Sequence, residues 1–404
     1  MAIYAELGNS TFLDVSSYPD SDVPPGPADP ALRFPQSVVG REGAYPSVEG
    51  PGFSVVICTY NGAARIERVL TALAELNGDA GHEIIVVDNC STDGVAAAAA
   101  ALWDQVGPLA VDLRVIFEPT QGLSAARRAG VRAATREVVV FCDDDNLLDP
   151  DYLEVAAAIL ADETIGATGG ANTPVADYEI PPLFFSYSAM AAVGAQALAS
   201  GDNDQLWGAG LVVRRKLLVK LYDTPEFPLL IGRQGTALTS GEDLEICLGV
   251  GLLGFRLWYD DRLTLRHIVP RERLSATYIR GLTEGFDAAY PVLSRYAELR
   301  AMANQTFRQR IRAILSAAAR IPVFLRRRDA RSFGLLARFR MTLLMTREER
   351  AIFRISRALR KSRPHPEGPR AARRREGWQQ DDWLPSFETP WGEPARLDRG
   401  QSAG

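Results

Sequence analysis

Between Phe53 and Ala161 the chain alternates short apolar runs with helical stretches four times over, and this limits the fold more than any other feature. Phe53–Cys58, Glu83–Val87, Leu113–Phe117 and Glu137–Cys142 have the length and apolar content of buried strands. Ala63–Leu76, Ser91–Trp103, Ser124–Ala134 and Pro150–Ala161 have the longer period of helices, the second with Ser91 or Asp93 as its cap. A helix between each pair of strands is the connection that parallel pairing requires. The expected class is therefore α/β, a mostly parallel central sheet flanked by helices.

After Ile165–Gly170 the alternation stops. Residues 171–205 show no clear period, and so long an irregular stretch inside a compact domain is usually functional. Regular signals return with a strand at Gly208–Arg214, a helix at Leu244–Leu253 and a strand at Phe255–Tyr259. Residues 275–360 read as helical and basic. The expected organisation is a loosely ordered extension over 1–50, an α/β domain over 51–290, basic amphipathic helices over 291–362 and a disordered tail over 363–404.

The net charge of −5 hides an asymmetry: residues 305–375 carry 21 Lys/Arg against 4 Asp/Glu. Phe307, Ile311, Ile314, Leu315 and Ala318 share one helical face flanked by Arg308, Arg310 and Arg312. That pattern suits an anionic membrane surface docked through 305–360, or equally a helix packed on the preceding domain or on a second subunit. Nucleic acid is not expected, because no reader motif accompanies the charge. The four cysteines form no C-x-x-C pair, no leader segment is evident at the N-terminus, and no apolar run reaches about 18 residues. The expected location is the cytoplasm, peripheral to the inner face of the cell membrane.

In open parallel sheets, ligands bind at the carboxyl ends of the strands. The first strand is followed by Thr59-Tyr60-Asn61-Gly62, the second by Asp88-Asn89, and the fourth by Asp143-Asp144-Asp145. Three adjacent carboxylates repel one another unless a cation or bound donors offset them. Hard divalent cations take such oxygens and share them with substrate phosphates. The triplet thus points to metal-assisted chemistry on a phosphate-bearing substrate, with an acidic turn before Pro150 as the plain alternative.

Taken in order, these pieces resemble the family 2 glycosyltransferases, which are GT-A-type, inverting and nucleotide-sugar-dependent. Phe53–Asn61 resembles the family's opening strand, Glu83–Gly94 its base-binding segment, and Gly122–Gly130 the following helix. Phe141–Asn146 resembles the D-x-D metal motif, Gly241-Glu242-Asp243 the catalytic-base motif, and His267 a late metal ligand. The resemblance covers roughly 53–290. Arg128 and Asn146 depart from the commonest family residues.

The resemblance implies a role for each position. Thr59, Tyr60, Asn61, Asp88, Arg127, Asp143 and Asp144 would hold the nucleotide sugar. Asp145, Asp143 and His267 would hold Mn²⁺ or Mg²⁺. Asp243 would be the general base, with Glu242 the runner-up. Trp207, Gly208 and Arg273 would lie on the acceptor side, and Arg271 and Arg273 are also candidates to clamp the diphosphate. The donor would be a UDP, dTDP or GDP sugar and the acceptor a glycan or lipid-linked hydroxyl. The rivals are a sugar-1-phosphate nucleotidyltransferase, which would need a Gly-rich basic loop after the first strand, and a non-catalytic nucleotide-sugar-binding scaffold.

Overall fold

The computed structural model describes residues 51–77, 81–235, 237–303 and 347–362, all within one compact unit. The extension over 1–50, the tail over 363–404 and the helical face at 307–318 lie outside the described residues. The first half follows the alternation: β1 Phe53–Thr59, α1 Ala63–Ala74, β2 Glu83–Asp88, α2 Val95–Val106, β3 Asp112–Phe117, α3 Leu123–Ala133 and β4 Val138–Asp143. These four strands pair in parallel in the order β3-β2-β1-β4.

Their side chains alternate between two buried faces, as a doubly covered sheet requires. Val56, Ile85, Val87, Val139 and Phe141 face one core. Val55, Ile57, Ile84, Val86, Val138 and Val140 face the other, under α1 and α2. The register sets Thr59 beside Asp88 and Cys58 beside Asp143, so the polar residues after three strands share one edge.

Beyond β4 the sheet is mixed. The remaining elements are β5 Asn146–Leu148, α4 Tyr152–Leu160, β6 Ile165–Val175, β7 Gly201–Asn203, β8 Val212–Arg214, α5 Arg215–Tyr222, α6 Glu242–Leu253, β9 Arg256–Ile268, α7 Ala276–Ala303 and α8 Arg347–Lys361. The sheet runs β3-β2-β1-β4-β8-β6-β9-β5, with β7 also on β9. Of the later pairs only β6 with β9 is parallel. The strand expected to stop at Tyr259 continues to Ile268, because β6 pairs along most of its length.

The helix α7 runs through position 290, where a domain boundary was expected, and α8 packs on α6 and α7. Ile352, Ile355 and Leu359 are fully buried in the same core as Ile246, Val250 and Tyr296. The apolar face of 347–361 is therefore spent on the protein itself and is not free to enter lipid. Among the described residues no helix is long and apolar enough to cross a membrane.

Candidate active site

The loops after β1 and β2 are tied to each other. Asn61, with a left-handed φ of 51°, donates its backbone N–H to Ser91 Oγ and accepts the Thr92 N–H on Oδ1 at 2.8 Å. Ala63 N–H donates to Asp93 Oδ2, and Ser91 N–H to Asp88 Oδ1 at 2.9 Å. Asn89 accepts the Gly122 N–H and donates to the carbonyls of Glu118 and Thr120. Asn61 and Asp88 thus shape the wall at this edge, while Tyr60 is exposed at its rim.

The triplet splits three ways. Asp144 turns toward β1, accepting from Thr59 Oγ1 at 2.7 Å and from Arg65 Nε and Nη2 at 3.1 and 2.8 Å. Burial outweighs Arg65 and pushes the Asp144 carboxyl up. Asp143 faces Arg127 at 3.8 Å, and burial pushes it up as well, against that guanidinium. Asp145 goes the other way. Burial opposes its charge, but the Arg273 guanidinium beside it outweighs burial and holds its carboxyl well below the usual range.

The pairing of β5 with β9 sets Asn146 opposite His267, and Ile268 N–H donates to the Asp145 carbonyl. This register brings a residue from position 145 against one from 267. Asn146, fully buried, secures the turn: Oδ1 accepts the Asp143 N–H and Nδ2 donates to Asp145 Oδ1. A carboxylate at 146 could not donate that second bond.

His267 Nε2 lies 3.4 Å from Asp145 Oδ1 and 2.8 Å from Arg273 Nη1. Arginine only donates, so Nε2 accepts and the ring proton sits on Nδ1, which reaches the Ala192 carbonyl at 3.3 Å. Asn172 Nδ2 donates to the same carbonyl. A backbone carbonyl on one imidazole nitrogen, leaving the other as a lone pair, is the usual support of a metal-binding histidine. Two atoms 3.4 Å apart are also close to the ~3 Å expected of neighbouring ligands on a small divalent ion with bonds of about 2.1 Å. The residues therefore fit such an ion. Among the described residues no group of three His, Cys, Asp or Glu side chains surrounds it, so phosphate oxygens and water would complete the shell.

Across the cleft stands the N-terminus of α6, entered through Gly241 with φ 96°. Glu242 is buried and 3.2 Å from Arg127 Nη1. Burial and the neighbouring Asp243 push its carboxyl up to about 7, against Arg127. Asp243 accepts the Gly208 N–H on Oδ2 and the Leu244 N–H on Oδ1, each at 2.8 Å. A Cβ at Gly208 would sit 2.5 Å from Arg127 Nη2, so a larger residue there would have to displace that guanidinium. Trp207 is buried, with its backbone N–H donating to Gln196 Oε1.

Arg127, expected to meet the nucleotide, is only 2% exposed. It lies over the Phe141 ring and links Asp143 to Glu242 from beneath. The signal was present in the sequence, since Arg127 falls between Ala126, Gly130 and Val131 on the inward face of α3.

Residues 230–235 and 237–241 form a strap along the cleft, which Arg233, Gly235 and Leu238 line. Leu123 and Ser124 N–H donate to the carbonyls of Arg233 and Ile231, and Leu229 and Leu230 N–H donate to Glu245. At Gly285 of α7 a Cβ would fall 1.8 Å from the Leu238 carbonyl, so only glycine lets the two backbones meet. Arg233 is exposed on this strap, and its charge acts on Asp143, Asp145 and Glu242. No periodicity marks the segment, so sequence reasoning did not single Arg233 out. Together these residues enclose a cleft of about 340 Å³ that reaches from Tyr60 and Asn89 past the triplet to Asp243 and Arg273.

Residues 54–183 match the family model described as glycosyl transferase family 2. Among curated relatives, EpsH of Bacillus subtilis (strain 168), whose name assigns it provisionally to the glycosyltransferases, is 32% identical over 117 residues, 29% of this chain and 33% of that protein. The uncharacterized glycosyltransferase alr2836 of Nostoc sp. is 36% identical over 102 residues, 25% of this chain and 30% of that one. The chain thus spans about a third of the length of these relatives. Among solved structures, the mannosyltransferase PcManGT of Pyrobaculum calidifontis with GDP-Man and Mn²⁺ is 22% identical at a TM-score of 0.42, covering 89% of this chain and 92% of that one. The S. aureus TarS 1–349 complex with UDP-GlcNAc is 15% identical at 0.43, covering 77% and 91%. Residues 54–183, which carry the parallel half of the α/β sheet, are thus similar to glycosyl transferase family 2.

Proposed function

We propose that this chain moves a sugar from a nucleoside-diphosphate sugar to a hydroxyl acceptor, with inversion at the anomeric carbon and with Mn²⁺ or Mg²⁺. The observation that carries the reading is Arg127, whose guanidinium joins Asp143 at 3.8 Å to Glu242 at 3.2 Å. A phosphate-and-metal edge and an acidic helix N-terminus thereby line one small cleft, which is what a one-step displacement needs.

Asp88, held by Ser91 N–H on one oxygen, would accept an N–H of uracil, thymine or guanine with the other. Thr59, Tyr60 and Asn61 would form the wall for base and ribose. Asp145 and His267 would hold the cation, with Asp143 on the ribose side or on metal-bound water. When bound, the ion offsets charge on the departing diphosphate. Arg233 and Arg65, both lining the cleft, would meet the phosphates through charge-assisted bonds.

Asp243 is the general base. Its two backbone donors fix the carboxylate at the cleft wall, where it takes the proton of the acceptor hydroxyl as that oxygen attacks the anomeric carbon. The bond from that carbon to the phosphate oxygen breaks as the new one forms, and the electron pair leaves with the nucleoside diphosphate. Trp207 and Gly208 lie on this side and Glu242 behind it. The acceptor class is a glycan or lipid-linked hydroxyl.

The test is nucleoside-diphosphate release from UDP-, dTDP- and GDP-sugars, with Mn²⁺ and with chelator, on the full chain and on Asp243→Asn. One donor should be turned over with metal, and Asp243→Asn should keep donor binding while losing about 10²–10⁴-fold in rate. Transfer by Asp243→Asn near the wild-type rate would remove Asp243 as the base. No donor bound or released would leave a non-catalytic protein.

A further inference from the structure

Arg273 occupies the position where the cation is expected. It lies on the turn Arg271–Leu274, is 8% exposed, and places its guanidinium against Asp145 Oδ2 with Nη1 2.8 Å from His267 Nε2. The lone pair that a metal would use is the one Nη1 engages, and the same carboxylate serves both. The two occupants exclude each other, because one nitrogen lone pair cannot serve a guanidinium and a metal together.

We propose that Arg273 is a built-in counter-ion that keeps the Asp145–His267 pair closed to a divalent cation until a nucleoside diphosphate arrives. The reason lies in what each partner gains. A cation arriving alone must expel a buried guanidinium from a carboxylate, leaving Arg273 without its anion at a cost that buried charges carry. A nucleoside diphosphate would bring phosphate oxygens to the cation and offer Arg273 two anionic oxygens for a bidentate contact in place of Asp145. Cation and nucleotide therefore bind with positive coupling, which is reciprocal by linkage. Arg273 acts here as a positioning residue of the donor site. The inference rests on the reading of Asp145 and His267 as the metal pair.

The experiment is a Mn²⁺ titration followed by electron paramagnetic resonance, on the full-length wild type and on Arg273→Gln, with and without UDP and GDP. Wild type should bind Mn²⁺ weakly alone. Arg273→Gln should bind Mn²⁺ alone about tenfold tighter or better, a typical coupling factor, and should gain less from nucleotide. A purely structural arginine predicts the opposite, a weaker site once it is removed. If Arg273→Gln does not fold, Arg273→Lys is read instead: it loses the fork to His267 and should still bind Mn²⁺ alone more tightly than wild type. Mn²⁺ affinity in the folded variant equal to or below wild type overturns the proposal. Failure of every variant to bind Mn²⁺ even with nucleotide overturns the metal reading beneath it as well, so the two failures are distinguishable.

Discussion

Asp145 and Glu242 are both buried carboxylates beside a buried arginine, yet they end in opposite states. Asp145 is held far down its titration, firmly ionised. Glu242 is pushed up to about 7. Desolvation opposes the charge of both, so burial does not distinguish them. What differs is how many anions share each cation. Arg273 touches Asp145, with Asn146 donating to the other oxygen. Arg127 is divided between Glu242 and Asp143, with Asp243 also in its field. A single buried guanidinium can fix one carboxylate; spread over three, it leaves one of them protonatable near neutral pH.

The largest effect expected from this contrast is at Arg127. Arg127→Met keeps volume over Phe141 but leaves Asp143 and Glu242 buried without their cation. Breaking a buried pair from one side costs about 3–5 kcal/mol, read as a fall in unfolding free energy in urea at pH 8. At pH 5 the carboxyls can protonate, so the cost should be smaller. An equal loss at both pH values would mean that Arg127 supports the site by packing and not by charge.

A smaller effect isolates Glu242. Its folded value of about 7 lies above the ordinary 4.5. Between those values the folded protein holds a proton that the unfolded chain has released. Stability from this group is therefore fully present below about 4.5 and is lost as pH rises through about 7. Glu242→Gln removes the dependence. From pH 5 to pH 8 the wild type should lose on the order of 1–3 kcal/mol relative to Glu242→Gln. Parallel urea curves at the two pH values would break the claim that Glu242 is the underserved partner of Arg127.

The two carboxylates also differ in how far the sequence announced them. The strand–helix alternation of 53–161 carries the parallel half of the sheet, because periodicity there is set by two-sided burial of Val55, Val56, Val86, Val87 and their neighbours. The row Thr59, Asp88, Asp143 follows from it. The later half is built from pairings that leave little periodic trace. β5 and β7 are three residues each and exist only as partners of β9. Yet the register Asn146 opposite His267 is what brings Asp145 and His267 together. Arg273 and Arg233 are likewise set by tertiary contact, one through His267 and one through a strap seated on α7. Arg127 was readable from its place on the buried face of α3, but only the packed structure gives it three anions. The job of Asn146, donating to Asp145 while accepting from Asp143, appears only once the turn is folded.

The smallest effect is expected where pairing geometry is best. Arg354 on α8 meets Glu226 as a two-bond fork at 2.7 and 2.6 Å, shorter than the 3.2 Å between Arg127 and Glu242. Both partners of the fork are exposed, so water already solvates each charge and holding two long side chains together costs entropy. The buried residues Ile352, Ile355 and Leu359 hold α8 to the core without it. Arg354→Ala should therefore leave the urea midpoint where it was, in low salt and in high. A clear loss in low salt that vanishes in high salt would show that the exposed fork does contribute. The contrast between Arg273 and Arg127 would then have to be restated in terms of bond geometry as well as the number of anions sharing each cation.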